Sequence, residues 1–235
     1  MKENIDSKSI GNRKFIIELR FKHKVTLSDK KGAIIENIKS CQFFNPMYWE
    51  IGVANANIWD NDKKEDARNF IFIELNRLCF ISSKIDTVAA FYDRFMKIYE
   101  CVEKEIGSFE IQRIGCRIQG TYKTDLTDFA PYFEKLKQGF PGKFYLEDFP
   151  ATDLMFRLNY KNGMYQIGPV KAEKDAFVEN NFPESYRIKH VGFAIDTDNY
   201  LTNEKGPIDD KKLIKEIYTL SLSVEKKLFD NLITL

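Results

Sequence analysis

The chain has no apolar run near the roughly 20 residues that a membrane-spanning helix needs. Its polar opening, Met1 to Lys14, lacks the apolar core of a signal peptide. Cysteine is scarce: Cys41, Cys79, Cys101 and Cys116 form no C-x-x-C pair, and His23 and His190 are the only histidines. That composition speaks against a zinc-type ligand set and a disulfide framework, and fits free thiols in a reducing compartment. Charge of one sign is lacking too. Thirty-six basic residues against 35 acidic ones leave a net charge of +1, so a nucleic-acid or membrane partner would need a local patch. A cytoplasmic protein with no membrane partner is expected.

Cofactor motifs are missing on inspection. Asp196-Thr-Asp-Asn-Tyr200 starts like a calcium loop, but Leu201 stands where glycine is required and Pro207 where glutamate is. Gly139-Phe-Pro-Gly-Lys143 lacks the spacer and the hydroxyl residue of a phosphate loop. Gly115 to Gly120 lies inside a strand pattern and does not open a helix, unlike a dinucleotide fingerprint. His190 has no nucleophile that sequence can place beside it. No cofactor, no metal and no catalytic residue is expected.

Large apolar side chains are what the chain does have: aromatic residues reach 14%, led by 20 Phe, so rings must dominate its core. The clearest element is a helix from Asp86 to Gly107. Val88, Phe91, Tyr92, Phe95, Ile98, Tyr99, Val102 and Ile106 fall on one stripe, with Asp86 placed to cap the first turn and Gly107 the last. Phe15 to Leu27 alternates as a half-buried strand, and a short helix follows from Ser28 to about Lys39. Met47–Ile58 and Arg68–Ser82 read as two further strands, the latter apolar on both sides and therefore central.

The second half repeats the order. Phe109–Lys123 alternates, a short helix runs from Asp125 or Thr127 to about Gln138, and Gly139 to Gly142 stops it. Leu154–Lys161 and Met164–Ala172 form a hairpin around Asn162-Gly163. Tyr186–Asp196 reads as a strand. The last helix runs from Asp209 to about Asn231, with Leu213, Ile217, Leu220, Val224 and Leu228 as its apolar side and Ile208 placed for a hydrophobic staple. The predicted fold is α+β: a mainly antiparallel sheet from two similar β-α-β-β-α halves, with both long helices packed on one face. Residues 1–235 are expected to form a single domain with an internal pseudo-repeat, 13–107 and 108–235, and a seam near Pro141 to Pro150.

Three stretches resemble a sporadically distributed bacterial family of uncharacterised proteins of about the same length. They are Phe15-Ile-Ile-Glu-Leu-Arg-Phe21, Arg113-Ile-Gly-Cys-Arg-Ile118, and the tail, where Phe193-Ala-Ile-Asp-Thr-Asp198 precedes a helix ending Glu225-Lys-Lys-Leu-Phe-Asp-Asn-Leu-Ile-Thr234. The resemblance runs the length of the chain but lacks a proline-rich entry before the first strand. It brings no agreed catalytic residues. The family's scattered distribution resembles that of genes in mobile-element or phage-defence loci.

The polar side of the predicted sheet carries the functional expectation. The first strand presents Glu18, Arg20 and Lys22 there, the middle strand Arg113, Arg117 and Gln119, and the hairpin Arg157, Asn159 and Lys161. Guanidinium groups so arranged can clamp phosphates or carboxylates through paired hydrogen bonds, although an open sheet face is normally polar anyway. Arg113, Arg117 and Arg157, then Arg20 and Lys22, are the candidate binding residues of a non-enzymatic accessory or sensor protein. Its partner would be a protein, a nucleic acid or a nucleotide. Two other readings stand beside it. Glu18-Leu-Arg-Phe-Lys22 resembles the Glu-x-Glu-x-Lys strand of triphosphate-tunnel hydrolases with one acid replaced, which implies a metal-dependent phosphoester hydrolase using Glu74 or Asp196 as substitute acids. The third is a self-assembling structural subunit, a homo-oligomer that hides the face against its own copy.

Overall fold

The computed structural model describes residues 5–83, 87–139, 154–202 and 209–234. Strand β1 (Ile10–Phe21) leads to helix α1 (Leu27–Ser40). Strands β2 (Tyr48–Ile51), β3 (Asn55–Trp59), β4 (Asn69–Glu74) and β5 (Arg77–Ser82) then run into the long helix α2 (Val88–Ile106). The second half holds β6 (Ile111–Lys123), α3 (Phe129–Gly139), β7 (Phe156–Tyr160), β8 (Gly163–Val170), α4 (Ala176–Asn181), β9 (Gly192–Thr202) and α5 (Asp210–Ile233). The nine strands of the described residues form one antiparallel sheet in the order β2-β3-β4-β5-β1-β6-β9-β8-β7. The opening strands of the two halves, β1 and β6, lie side by side at its centre. In each half the remaining strands step back from the edge toward the opening strand.

One face of this sheet takes α1, α2, α3 and α5. Phe15, Ile17 and Leu19 of β1, Ile71 and Ile73 of β4, Leu78 and Phe80 of β5, and Ile114, Cys116 and Ile118 of β6 are all buried against Phe91, Phe95, Ile98, Ile214, Ile217 and Tyr218 of the long helices. A second cluster under α3 and the end of α5 joins Tyr122, Phe193, Tyr132, Leu136, Phe229 and Leu232. Helix α2 has the expected stripe, capped by the Thr87 hydroxyl, which accepts a hydrogen bond from the Ala90 N–H, and closed by Gly107 at φ 76°. The expected Asp86 cap, the Gly139–Gly142 stop, the 141–150 seam and the Ile208 staple lie wholly or partly outside the described residues. No described helix is long and apolar enough to cross a membrane.

Several local expectations are corrected. Residues 47–58 and 68–82 are each a hairpin, not one strand, with turns at 52–54 and 75–76. The two-residue turn explains the misleading pattern. Ile73 pairs with Leu78, so the inward parity switches from odd to even numbers at the turn, and the unbroken run looks apolar on both sides. The 52–54 turn is held by Lys31 of α1, whose ammonium donates to the Gly52 and Val53 carbonyls at 2.5 and 2.6 Å. In the second half, Tyr160 pairs with Gly163, so the turn is Lys161-Asn162 and Lys161 takes the positive φ of 44°. Residues 186–191 precede β9 and are not part of it; the strand runs on to Thr202.

The stripe of α5 is also rotated from expectation. Leu220 is exposed, while Ile214, Tyr218, Ser221, Leu222 and Glu225 are buried. The polar members have partners beneath the helix. Arg13 and the Tyr122 hydroxyl both donate to Glu225, and the Ser221 hydroxyl donates to the Cys116 carbonyl at 3.1 Å. Asp209 caps the helix as expected, accepting from the Lys211 and Lys212 N–H groups. Among the thiols, Cys41 is half-exposed with its sulfur 3.4 Å from that of Cys101, and burial pushes the Cys79 and Cys116 thiols up to about 12.

Candidate functional site: the face opposite the long helices

The other face was expected to be cationic and free, and the structure divides it. Residues 171–191 cross it at one end. Asp175 caps α4 by accepting from the Phe177 and Val178 N–H groups, and Val178 and Phe182 pack on Val170 and Ala194 of the sheet. This helix was missed because it is six residues long, although an aspartate before Ala-Phe-Val was a readable cap signal. Asn12 ties the segment down, its side chain donating to Thr121 Oγ1 and the Ile188 carbonyl. His190 belongs to the same packing. Its Nε2 lies 2.8 Å from Thr121 Oγ1, and a Cβ on Gly11 would come within 2.1 Å of that nitrogen, so only glycine fits there. Burial lowers the His190 pKa, which keeps the ring neutral at neutral pH.

The uncovered part is a grid fixed by register. One row across the sheet reads Glu74, Arg77, Arg20, Arg113 and Thr202, each directly opposite the next. The next reads Phe72, Cys79, Glu18, Gly115 and Tyr200. A third reads Tyr48, Trp59, Phe70, Ile81, Ile16, Arg117 and Asp198. Lys14 and Gln119 lie opposite each other beyond it, with Asp196 next on β9.

The five predicted residues separate on this grid. Arg20 and Arg113 meet, face to face on neighbouring strands. Arg117 sits two rows further along β6 and is bound elsewhere: its Nε and Nη2 donate to both oxygens of Asp196 at 2.8 and 2.6 Å, and Gln119 donates to the same carboxylate at 3.0 Å. With Asp196 only 5% exposed, Arg117 serves as a counter-ion to a buried charge. Arg157 lies on the edge strand β7, three strands from β6 and hence about 14 Å away. Lys22 is past the end of β1, where it pairs with Glu110 in the open. Sequence reasoning missed Arg77, which completes the row. Arg77 was hidden inside a hairpin read as a single strand.

The row has an unusual charge pattern. Three guanidinium groups stand at directly opposed positions, where like charges repel. Glu18 accepts from Arg20 at 2.8 Å and from Arg77 at 3.4 Å, and Glu74 lies 3.0 Å from Arg77. Arg113 has no carboxylate partner among the described residues; it lies over the Tyr200 ring at 4.4 Å. Two neighbouring groups are also strained electrostatically. Burial and the nearby Arg117 push the Lys14 amine down to about 8, while its ammonium donates to the Asn181 carbonyl at 2.8 Å. Burial raises the Asp198 carboxyl above its usual range, against the pull of Arg117 and Arg113.

Asp198 gives a pH test. A carboxyl whose folded pKa is raised contributes most below its unfolded value near 4 and loses that contribution as pH rises through the folded value. Asp198→Asn is therefore expected to raise the thermal midpoint at pH 7 and to leave it unchanged near pH 3.5. Thermal scans of both proteins at the two pH values check this; equal midpoints at pH 7 would show that Asp198 is well solvated.

The acids that the hydrolase reading needs are occupied: Glu18, Glu74 and Asp196 each face arginine. Among the described residues the sheet ends in two edges, β2 and β7, and does not close into the barrel that lines a triphosphate tunnel. Among the described residues no group of three or more His, Cys, Asp or Glu is placed to hold a metal ion.

No family model matches the chain, and no curated protein matches it. Among solved structures it is similar to the aspartate kinase of Clostridium acetobutylicum, an allosteric enzyme, at 11% identity and a TM-score of 0.21. That match covers 93% of this chain but only 36% of the kinase, so the chain spans about a third of that protein's length. A likeness at that score carries no argument about fold or function.

Proposed function

We propose that this chain is a non-enzymatic binding protein that captures a phosphate-bearing ligand or partner on the uncovered part of its sheet. The setting suggested by the family resemblance is an accessory or sensor component of a bacterial defence or mobile-element locus. One observation carries the reading: the Arg77, Arg20, Arg113 row, in which two carboxylates are shared by two arginines and the third, within the field of Asp198, lies over an aromatic ring with no ion pair among the described residues. Opposed like charges weaken a sheet. A bound anion would relieve that repulsion and use the planar, two-pronged hydrogen bonding that guanidinium offers phosphate.

Calorimetric titration with inorganic tripolyphosphate at low salt tests this. Binding that weakens as salt rises is expected. Arg113→Ala should reduce affinity by about tenfold, one charge-assisted contact, while stability changes by no more than about 0.5 kcal/mol. Arg113→Lys should restore the charge but not the full affinity. Unchanged affinity in Arg113→Ala, or a large loss of stability, would show that the row is structural.

A further inference from the structure

Next to the arginine row, the same face carries a feature that anion capture does not use. Outward positions of an alternating strand are normally polar. On β2, β3 and β4 four of them are instead Tyr48, Trp59, Phe70 and Phe72, all half-buried, and these form a ledge flanked by the polar outward residues Glu50, Asn57, Asn55 and Glu74. Trp59 and Phe70 are stacked with centroids 4.8 Å apart, Tyr48 meets Trp59 edge-on at 5.4 Å, and Phe70 and Phe72 are 6.4 Å apart. No described α-helix packs on this ledge; only the 3-10 turn Lys64–Asp66 reaches over it. Cations stand over it instead: the Lys64 ammonium lies 4.8 Å from the Trp59 ring and 4.9 Å from Tyr48, and Arg77 lies 4.3 Å from Phe72. Arg77 thus belongs to both features, touching the last ring of the ledge and opening the arginine row.

We infer that the ligand of this face is single-stranded nucleic acid, with bases stacked on the Tyr48, Trp59, Phe70, Phe72 ledge and phosphates on Arg77, Arg20 and Arg113. The inference rests on the anion-binding reading and adds the base-binding half of the site. Stacking needs exposed base faces, which a single strand offers and a duplex hides. A groove that combines ring platforms with arginines is the arrangement by which proteins hold single strands without strong sequence preference. The mixed charge of the face, with Glu18 and Glu74 among the arginines, suits a ligand held as much by stacking as by charge. A duplex, recognised mainly through its phosphates, would favour a uniformly basic surface.

Fluorescence anisotropy with a labelled 12-nucleotide DNA strand, the RNA of the same sequence, and the DNA annealed to its complement tests the inference. Tripolyphosphate serves as the base-free probe. At least one single strand should bind ten or more times tighter than the duplex, and the DNA and RNA arms show which sugar is preferred. Trp59→Ala and Phe72→Leu should each weaken that strand by roughly tenfold, the loss of one stacked base, and Trp59→Ala, remote from the arginine row, should change tripolyphosphate affinity by less than twofold. Arg113→Ala should weaken both ligands. Trp59→Phe keeps a ring and should restore most of the affinity, which separates stacking from a folding defect. Duplex binding as tight as single-strand binding, or ring variants that bind the strand normally, would overturn the stacking proposal while leaving anion capture intact. Failure of tripolyphosphate and every oligonucleotide to bind would overturn both.

Discussion

Glu225→Ala is expected to remove about 3–5 kcal/mol of folding stability, the usual effect of breaking a buried ion pair from one side. Arg13 and Glu225 are 8% and 1% exposed, and Glu225 also accepts from the Tyr122 hydroxyl. Alanine would take away the carboxylate to which both the Arg13 guanidinium and the Tyr122 hydroxyl donate between α5 and the central strands. Against a total stability of roughly 5–15 kcal/mol this is a large fraction. Replacing the three together by apolar residues of similar volume, Arg13→Met with Tyr122→Phe and Glu225→Leu, should recover part of the loss, because the polar groups that face one another are removed at once. Urea denaturation of the single and triple variants measures both effects. A loss below about 1 kcal/mol for Glu225→Ala would mean that water reaches the pair.

Phe91→Ala should be about as damaging, roughly 3–5 kcal/mol, for an unrelated reason. The Phe91 ring lies 5.2 Å from Phe15, 5.1 Å from Phe80 and 5.7 Å from Tyr218, so one side chain joins α2 to β1, β5 and α5. Its removal opens a cavity where elements of both halves meet. For a domain of this size the thermal midpoint should fall by about 10 °C. The fall should appear as one transition by far-ultraviolet circular dichroism and by tryptophan fluorescence alike. Two separated transitions, with only one displaced, would show that the halves fold as independent units. Phe91→Leu should cost well under half as much.

What could be read in the residues, and what could not, follows from the range of the interactions. The α2 stripe, the Gly107 cap, the Asp209 cap and the alternation of β1 and β6 are local signals, and each appears in the structure, that of β1 only as far as Phe21, since Val25 is exposed and Leu27 opens α1. The α+β class with one antiparallel sheet was legible for the same reason. The β4–β5 turn was not, because a two-residue Leu75-Asn76 turn without glycine leaves only a single asparagine and a change of parity between Ile73 and Leu78 as marks. Burial of Glu225 was illegible because its partners, Arg13 and Tyr122, are 212 and 103 residues away. The candidate site was half visible. Arg20 and Arg113 were placed on the right face by alternation alone. Arg117 shares that face but is engaged by Asp196, 79 residues away, and Arg77 could be added only once the hairpin was known.

Residue-resolved amide shifts recorded during the tripolyphosphate titration test the central claim most directly. Capture on the uncovered sheet face predicts perturbations that centre on Arg77, Arg20, Arg113 and Tyr200 and spread to Glu18. Shifts concentrated instead on the lysine-bearing outer turns of α5, around Lys211, Lys215 and Lys226, would contradict it.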